Sequence, residues 1–432
     1  MFRFKSINES RNEVRSEESR NEVRTIVSKT GNKHQDDLRD INIKRDKEVV
    51  NNIDNIDGKL SVYDKLTWVT SKAIDMWFRK NNCSIIISSY NSHQIYSIGV
   101  NNIENSNNLT VWVNEFLRPM GLGVNKNSLF ISSLGRLHYY ENYGPKTNYE
   151  NLGRFEPVYY PRHLSFIGDA DIHDLRANSV NELYFVLAKF NCIAKPSKTK
   201  SFEVYWMPPW IEFSGKNASY ALMPCEDRCH MNGLCLLNDK PKYVTIAAMT
   251  NFSGAWREKQ NQSKGVVYDV VDNRVVCDGL WSPHSPRMYM REFKNLDTSV
   301  TYKYPTLWLL ESGTGHLGYV DESTKSFVKM KFIPGFLRGL DFVNNYAVVT
   351  SSLDRHDKAF AEIPLSKYLD ANNMPSKCGL WIIDMNTMDI VEFMEFTSGV
   401  TELYDVAVIA NIGLRPQIID INNVDIIEKF DL

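Results

Sequence analysis

The chain has 432 residues, 43% of them hydrophobic, 12% aromatic and 24% charged, with a formal net charge of −2. That composition supplies the core of a large globular fold, and its near-neutral balance makes no whole-chain field to recruit nucleic acid or an anionic membrane. The apolar runs, such as 85–87 and 406–410, are far shorter than the roughly 18–20 residues of a membrane helix, and seven scattered cysteines suit reduced, buried thiols better than a disulfide framework.

Residues 1–57 are polar and charge-dense and contain Ser-Arg-Asn-Glu-Val-Arg twice, starting at Ser10 and Ser19. Too few large apolar side chains are present to offset the entropy of ordering, so a disordered charged tail is expected, and it is the place to look for a protein partner. It has no apolar signal region, and a cytoplasmic protein is expected. Over 58–82 the apolar residues Tyr63, Leu66, Val69, Ala73, Ile74 and Trp77 recur at three- and four-residue spacing, which predicts an amphipathic helix packed on the domain that follows.

From residue 83 to 432 short β-rich runs alternate with Gly, Asn and Asp, and one pattern returns six times: Arg118-Pro-Met-Gly-Leu122, Asp171-Ile-His-Asp-Leu175, His230-Met-Asn-Gly-Leu234, His284-Ser-Pro-Arg-Met288, Phe336-Leu-Arg-Gly-Leu340 and Glu402-Leu-Tyr-Asp-Val406. The first five copies are each followed by a second strand-like run, at 128–133, 182–188, 243–247, 307–310 and 346–350. Four-stranded units of this kind cannot bury their own faces and must stack, and six of them close into a ring. The expected fold is therefore all-β: a six-bladed β-propeller with an N-terminal amphipathic helix and the charged tail. The sixth unit runs short of chain, with 406–409 and 417–421 readable as its strands. The strand-like segments near 84–100 are expected to complete that blade and lock the ring.

These blocks, with Phe190-Asn-Cys192, Trp206-Met-Pro-Pro, Glu226-Asp-Arg-Cys-His230, Gly254-Ala-Trp-Arg257, Pro334-Gly-Phe-Leu-Arg-Gly-Leu340 and Cys378-Gly-Leu-Trp381 in the same order, are similar to a bacterial family of conserved hypothetical proteins with a domain of unknown function, prominent in cyanobacteria and proteobacteria. The resemblance covers roughly residues 84 to 416. It implies the propeller and no particular reaction.

In a propeller the residues entering the innermost strands line the mouth of the axial channel. The repeats thereby gather His173, His230, His284, Arg338 and Asp405 as candidate catalytic residues, with Asn232, Arg287, Glu402 and Tyr404 as ligand-binding ones. Three imidazoles from consecutive blades suit a Zn or Fe ion, making His173, His230 and His284 candidate metal ligands, with Asp174 and Asp405 as groups able to orient a neighbour or act as bases. Cys225, Cys229, His230 and Cys235 form an alternative zinc set. Glu311-Ser-Gly-Thr-Gly-His316 lacks the lysine of a phosphate loop and reads as a tight turn. Trp206-Met-Pro-Pro-Trp210 reads as an aromatic lid or as packing on the barrel side. Two functions stay open: an enzyme acting on a small polar or anionic molecule, with or without a metal, and a non-catalytic propeller that binds a ligand or protein.

Overall fold

Each repeated block runs into the innermost strand of one sheet, and six such strands surround the axis of a six-bladed β-propeller: Leu122–Asn125, Ile172–Ala177, Met231–Leu237, Pro283–Lys294, Phe336–Val343 and Val406–Ala410, which define blades 1 to 6. The computed structural model describes residues 47–50, 66–100, 109–142, 157–212, 225–294, 301–354 and 362–419, with the backbone alone at 47–50, 291–294 and 301–302. Each innermost strand packs against the next, and that of blade 6 returns to that of blade 1. Among the described residues no helix is long and apolar enough to cross a membrane.

The second strands lie where the β-branched and aromatic runs place them, as Ser128–Ser133, Leu183–Leu187, Lys240–Ile246, Thr301–Glu311 and Tyr346–Ser352. Hairpin turns between them need left-handed backbone, which Asn tolerates better than most side chains. Asn181, Asn191, Asn238, Asn273 and Asn344 all carry positive φ. Neighbouring blades share cores. Between blades 4 and 5, for example, Trp308 and Leu310 pack with Leu337, Leu340, Val349 and Trp381.

Closure follows the expected scheme. Val406–Ala410, from the C-terminal part of the chain, pairs antiparallel with Cys83–Ser89, aligning Val406 with Ile87 and Ala410 with Cys83. Gln94–Val100 and Leu109–Glu115 complete blade 6. Opening this ring requires pulling apart strands more than 300 residues distant in sequence, so blade 6 couples the two ends of the fold.

Two local expectations are corrected. Thr67–Ser71, inside the span read as helix 58–82, is a strand in the outer part of blade 5, paired with Ile390–Ser398, and the helix covers only Ile74–Asn81. The reason lies in the alternation: Leu66, Trp68 and Thr70 are buried while Thr67 and Val69 are partly exposed, a period of two hidden among residues that also fit a period near 3.6. The helix buries Ile74, Trp77 and Phe78 in the core shared by blades 5 and 6. Gln417–Ile418 belongs not to blade 6 but to the outer edge of blade 1, parallel to Val158 and Tyr159. The tail expected over 1–57 lies outside the described residues except Lys47–Val50, whose backbone pairs with Thr67–Ser71.

Candidate functional site

At the level where the blocks meet the axis, the innermost strands of blades 2 to 5 each carry an irregular register, between Ile172 and Asp174, Met231 and Gly233, His284 and Arg287, and Leu337 and Leu340. A bulge breaks the alternation of faces, so consecutive side chains such as His173 and Asp174 both serve the axis. The result is two tiers: a deep plug and a mouth above it.

The plug occupies the fourth position of each block, which reads Gly121, Asp174, Gly233, Arg287, Gly339, Asp405 around the ring, glycine alternating with charge. At each glycine the next blade's backbone or proline comes too near for a side chain. A Cβ on Gly121 would lie 3.0 Å from Leu175 N, one on Gly233 2.4 Å from Pro286 Cδ, and one on Gly339 2.6 Å from Val406 N. At each charged position the side chain instead reaches the residue after the following glycine. Asp174 Oδ2 accepts from Leu234 N at 2.9 Å, Arg287 Nε donates to Leu340 O at 3.0 Å, and Asp405 Oδ2 accepts from Leu122 N at 2.9 Å. All six blade junctions are thus held at the axis by one of two devices.

The charges also pair with each other. Asp174 meets Arg287 at 3.0 Å and Arg176 at 2.9 Å, while Asp405 meets Arg176 at 3.6 Å and Arg287 at 3.7 Å. Burial pushes Asp174 up to about 6 and Asp405 up to about 7, against the pull of Arg176 on both. Arg287 and Asp405, expected to touch a ligand, therefore sit in the plug with their polar atoms engaged by backbone and by each other. A proton-transfer role for Asp405 at the mouth is not retained, nor one for Asp174 as the orienter of His173.

The mouth carries the remaining candidates in a chain of contacts. His230 and His173 meet edge to face with ring centroids 4.6 Å apart, His173 lies 6.0 Å from Tyr404, and the Arg338 guanidinium covers the Tyr404 ring at 4.9 Å. Arg338 also donates to His284 Nε2 at 2.8 Å. Because the guanidinium can only donate, that nitrogen is an acceptor. Ser312 Oγ donates to Leu337 O and accepts from His284 Nδ1 at 2.8 Å. Burial, then Arg338, hold His284 well below the ordinary histidine range.

His173 and His230 are anchored alike through Nδ1. His173 donates to the Asp171 carbonyl at 3.1 Å, and burial lowers it to about 4. His230 donates to Asp227 Oδ2 at 2.8 Å, an oxygen that also accepts from Trp256 Nε1 at 2.9 Å and lies 3.6 Å from Arg257. Burial of Asp227 is outweighed by His230, His173 and Arg257, so its carboxyl is lowered. Trp256 stacks on His230 at 3.8 Å, with Arg257 4.0 Å above the indole. Among the described residues, neither His173 nor His230 has a hydrogen-bond partner at Nε2.

Two further mouth groups are buried and unmatched. Tyr404 Oη and Asn232 Nδ2 have no hydrogen-bond partner among the described residues, although Asn232 Oδ1 accepts from Thr245. Burial lifts Tyr404 well above the usual phenol range, so it is a donor at any ordinary pH. Glu402, also buried, turns to the adjoining loop and accepts from Asn91 N at 3.0 Å.

The three-histidine metal centre is corrected. Among the described residues no group of three His, Cys, Asp or Glu side chains is placed to hold one ion. His284 spends its acceptor nitrogen on a guanidinium, whose charge opposes a cation there. The cysteine alternative fails by placement: Cys225 is exposed, Cys229 and Cys235 are buried, and burial pushes the Cys235 thiol up to about 12. Ser312–Thr314 forms the expected tight turn. Trp206 and Trp210 pack on Tyr268, at 5.6 and 5.1 Å, on the flank of blade 3 and not over the mouth. Asp227 and Trp256 were missed in the sequence, although both stand in blocks quoted above, because only the fold shows that the 254–257 turn returns to His230.

A family model described as Domain of unknown function (DUF4915) matches residues 72–419. No curated protein matches the chain. Among solved structures, the chain is similar to one titled as a nidogen/laminin complex, with 8% identity and a TM-score of 0.43 over 76% of this chain and 99% of that one. It is also similar to a catalytically inactive virginiamycin B lyase from Staphylococcus aureus with quinupristin, with 10% identity and a TM-score of 0.35 over 82% and 99%. A gluconolactonase from Xanthomonas campestris gives 10% identity and a TM-score of 0.38 over 69% and 84%.

Proposed function

The chain belongs to the family described as Domain of unknown function (DUF4915), and for this member of it we propose that the axial mouth binds a small anionic molecule. The observation that carries this reading is Tyr404. Its buried hydroxyl has no partner among the described residues, and its ring lies 4.9 Å under the Arg338 guanidinium. A buried donor left unpaired costs about 1–3 kcal/mol, a penalty relieved when an acceptor-rich ligand enters. Arg338 adds a fixed fork for a carboxylate or phosphate, and Asn232 Nδ2 is a second neutral donor. His284, neutral and bonded to Arg338, orients the guanidinium without cancelling its charge.

Calorimetric titration with small carboxylates and inorganic phosphate tests the reading. Loss of a charge-assisted hydrogen bond is worth about 1.5–3 kcal/mol, so Arg338→Ala is expected to weaken the best of them by roughly 10- to 150-fold. Tyr404→Phe, which keeps the ring, is expected to weaken it by roughly 2- to 10-fold. Affinity unchanged in both variants sinks the proposal.

A further inference from the structure

The donors of the mouth account for only one half of its chemistry. Across it from Arg338 stand two imidazoles whose Nδ1 atoms are already committed: His173 Nδ1 to the Asp171 carbonyl and His230 Nδ1 to Asp227. In a neutral imidazole the nitrogen opposite a committed N–H is an acceptor. Both Nε2 atoms are therefore lone pairs, on rings 4.6 Å apart, and neither has a hydrogen-bond partner among the described residues. A simple carboxylate offers such atoms nothing, because acceptor would face acceptor.

We propose that the ligand is a hydroxycarboxylate, with its carboxylate on Arg338 and its hydroxyl donating to the Nε2 acceptors of His173 and His230. The inference rests on the anion reading and adds a requirement that reading does not make: the ligand must carry a donor. Asp227 is a positioning residue in this arrangement. It accepts the Nδ1 proton, fixes the tautomer that leaves Nε2 unprotonated, and is itself held by Trp256 Nε1, while the indole clamps the imidazole face at 3.8 Å. Tyr404 stands between the two acceptors and the Arg338 fork, its ring 6.0 Å from that of His173 and 4.9 Å from the Arg338 guanidinium.

The test uses matched acids that differ by one hydroxyl: acetate against glycolate, and propionate against lactate, titrated into the full chain by calorimetry at pH 7.5. The hydroxy acid of each pair is expected to bind roughly 3- to 10-fold more tightly, the net worth of one added hydrogen bond. His230→Phe keeps an aromatic ring against Trp256 and is expected to reduce that ratio to about twofold or less. Asp227→Ala is expected to lower the ratio with the imidazole still present, which a purely steric role of His230 does not explain. Equal affinity of wild type for both members of each pair overturns the inference and leaves the anion reading standing. No binding of any of the four acids overturns both.

Discussion

Gly339→Ala tests the alternation of glycine and charge at the axis. The new Cβ would lie 2.6 Å from Val406 N, 2.8 Å from Thr350 Oγ1 and 2.9 Å from Asp405 C. Two of these atoms are backbone of the next blade and cannot rotate away, so blades 5 and 6 must separate by several tenths of an ångström. That movement displaces Asp405, whose carboxylate holds Leu122 N at 2.9 Å and so carries the strain into blade 1. Overpacking of this kind costs about 1–3 kcal/mol, and the backbone contacts place this case near the upper end. In a domain of this size that corresponds to a fall in thermal midpoint of roughly 3–4 °C. Gly413→Ala is the control, because its Cβ would meet Asn82 Oδ1 at an ordinary 3.4 Å. Both variants are followed by circular dichroism melting. If Gly339→Ala melts with Gly413→Ala, within about 1 °C of wild type, the glycines do not set the blade spacing and the two-device account of the ring is wrong.

Arg287→Met removes one of two guanidinium groups from the buried carboxylates Asp174 and Asp405 and its bond to Leu340 O, and is expected to lower urea-unfolding stability by about 3–5 kcal/mol; a loss below 1 kcal/mol would mean the plug is not structural. His173 has a folded pKa depressed from 6.5 to about 4, so the folded state binds fewer protons than the unfolded one between those values. Its contribution is full above about pH 6.5 and is lost as the pH falls through 4, up to about 3 kcal/mol; its NMR ring resonances are expected to show no titration from pH 8 to 5, and a midpoint near 6.5 would refute its burial as a neutral group. Prolonged dialysis against a chelator is expected to leave the melting temperature unchanged, since His284 Nε2 is bonded to Arg338, and a fall of more than 3 °C would restore the metal reading.

The propeller was legible because the six blocks recur at a nearly constant phase, each placing an apolar residue at the start of an innermost strand, and because the sixth unit visibly lacked strands that 84–100 supply. Thr67–Ser71 was not legible: five residues of alternation are too few to outvote a helical spacing, and what decides the matter is the free edge of blade 5, a tertiary fact. At the site, His173, His230, His284, Arg338 and Tyr404, which the periodicity grouped, lie in one chain of contacts, but the pattern did not give which neighbours each would face. One position separates Arg338, which reaches the mouth, from Gly339, which cannot carry a side chain. In blade 6 the same step separates Tyr404 from Asp405, which goes into the plug. In blade 5 a register irregularity decides the case, and it leaves no mark in the pattern of residue types. Asp227 was invisible for another reason, since its role depends on Trp256 arriving from a separate turn.

The central claim, that the mouth above the plug is an anion site, is tested most directly by a crystal structure of the protein grown with glycolate at a saturating concentration. The account predicts glycolate at the mouth, one carboxylate oxygen about 2.7–3.2 Å from an Arg338 guanidinium nitrogen and in reach of Tyr404 Oη. Glycolate bound elsewhere on the ring, with Arg338 and Tyr404 untouched, would contradict it.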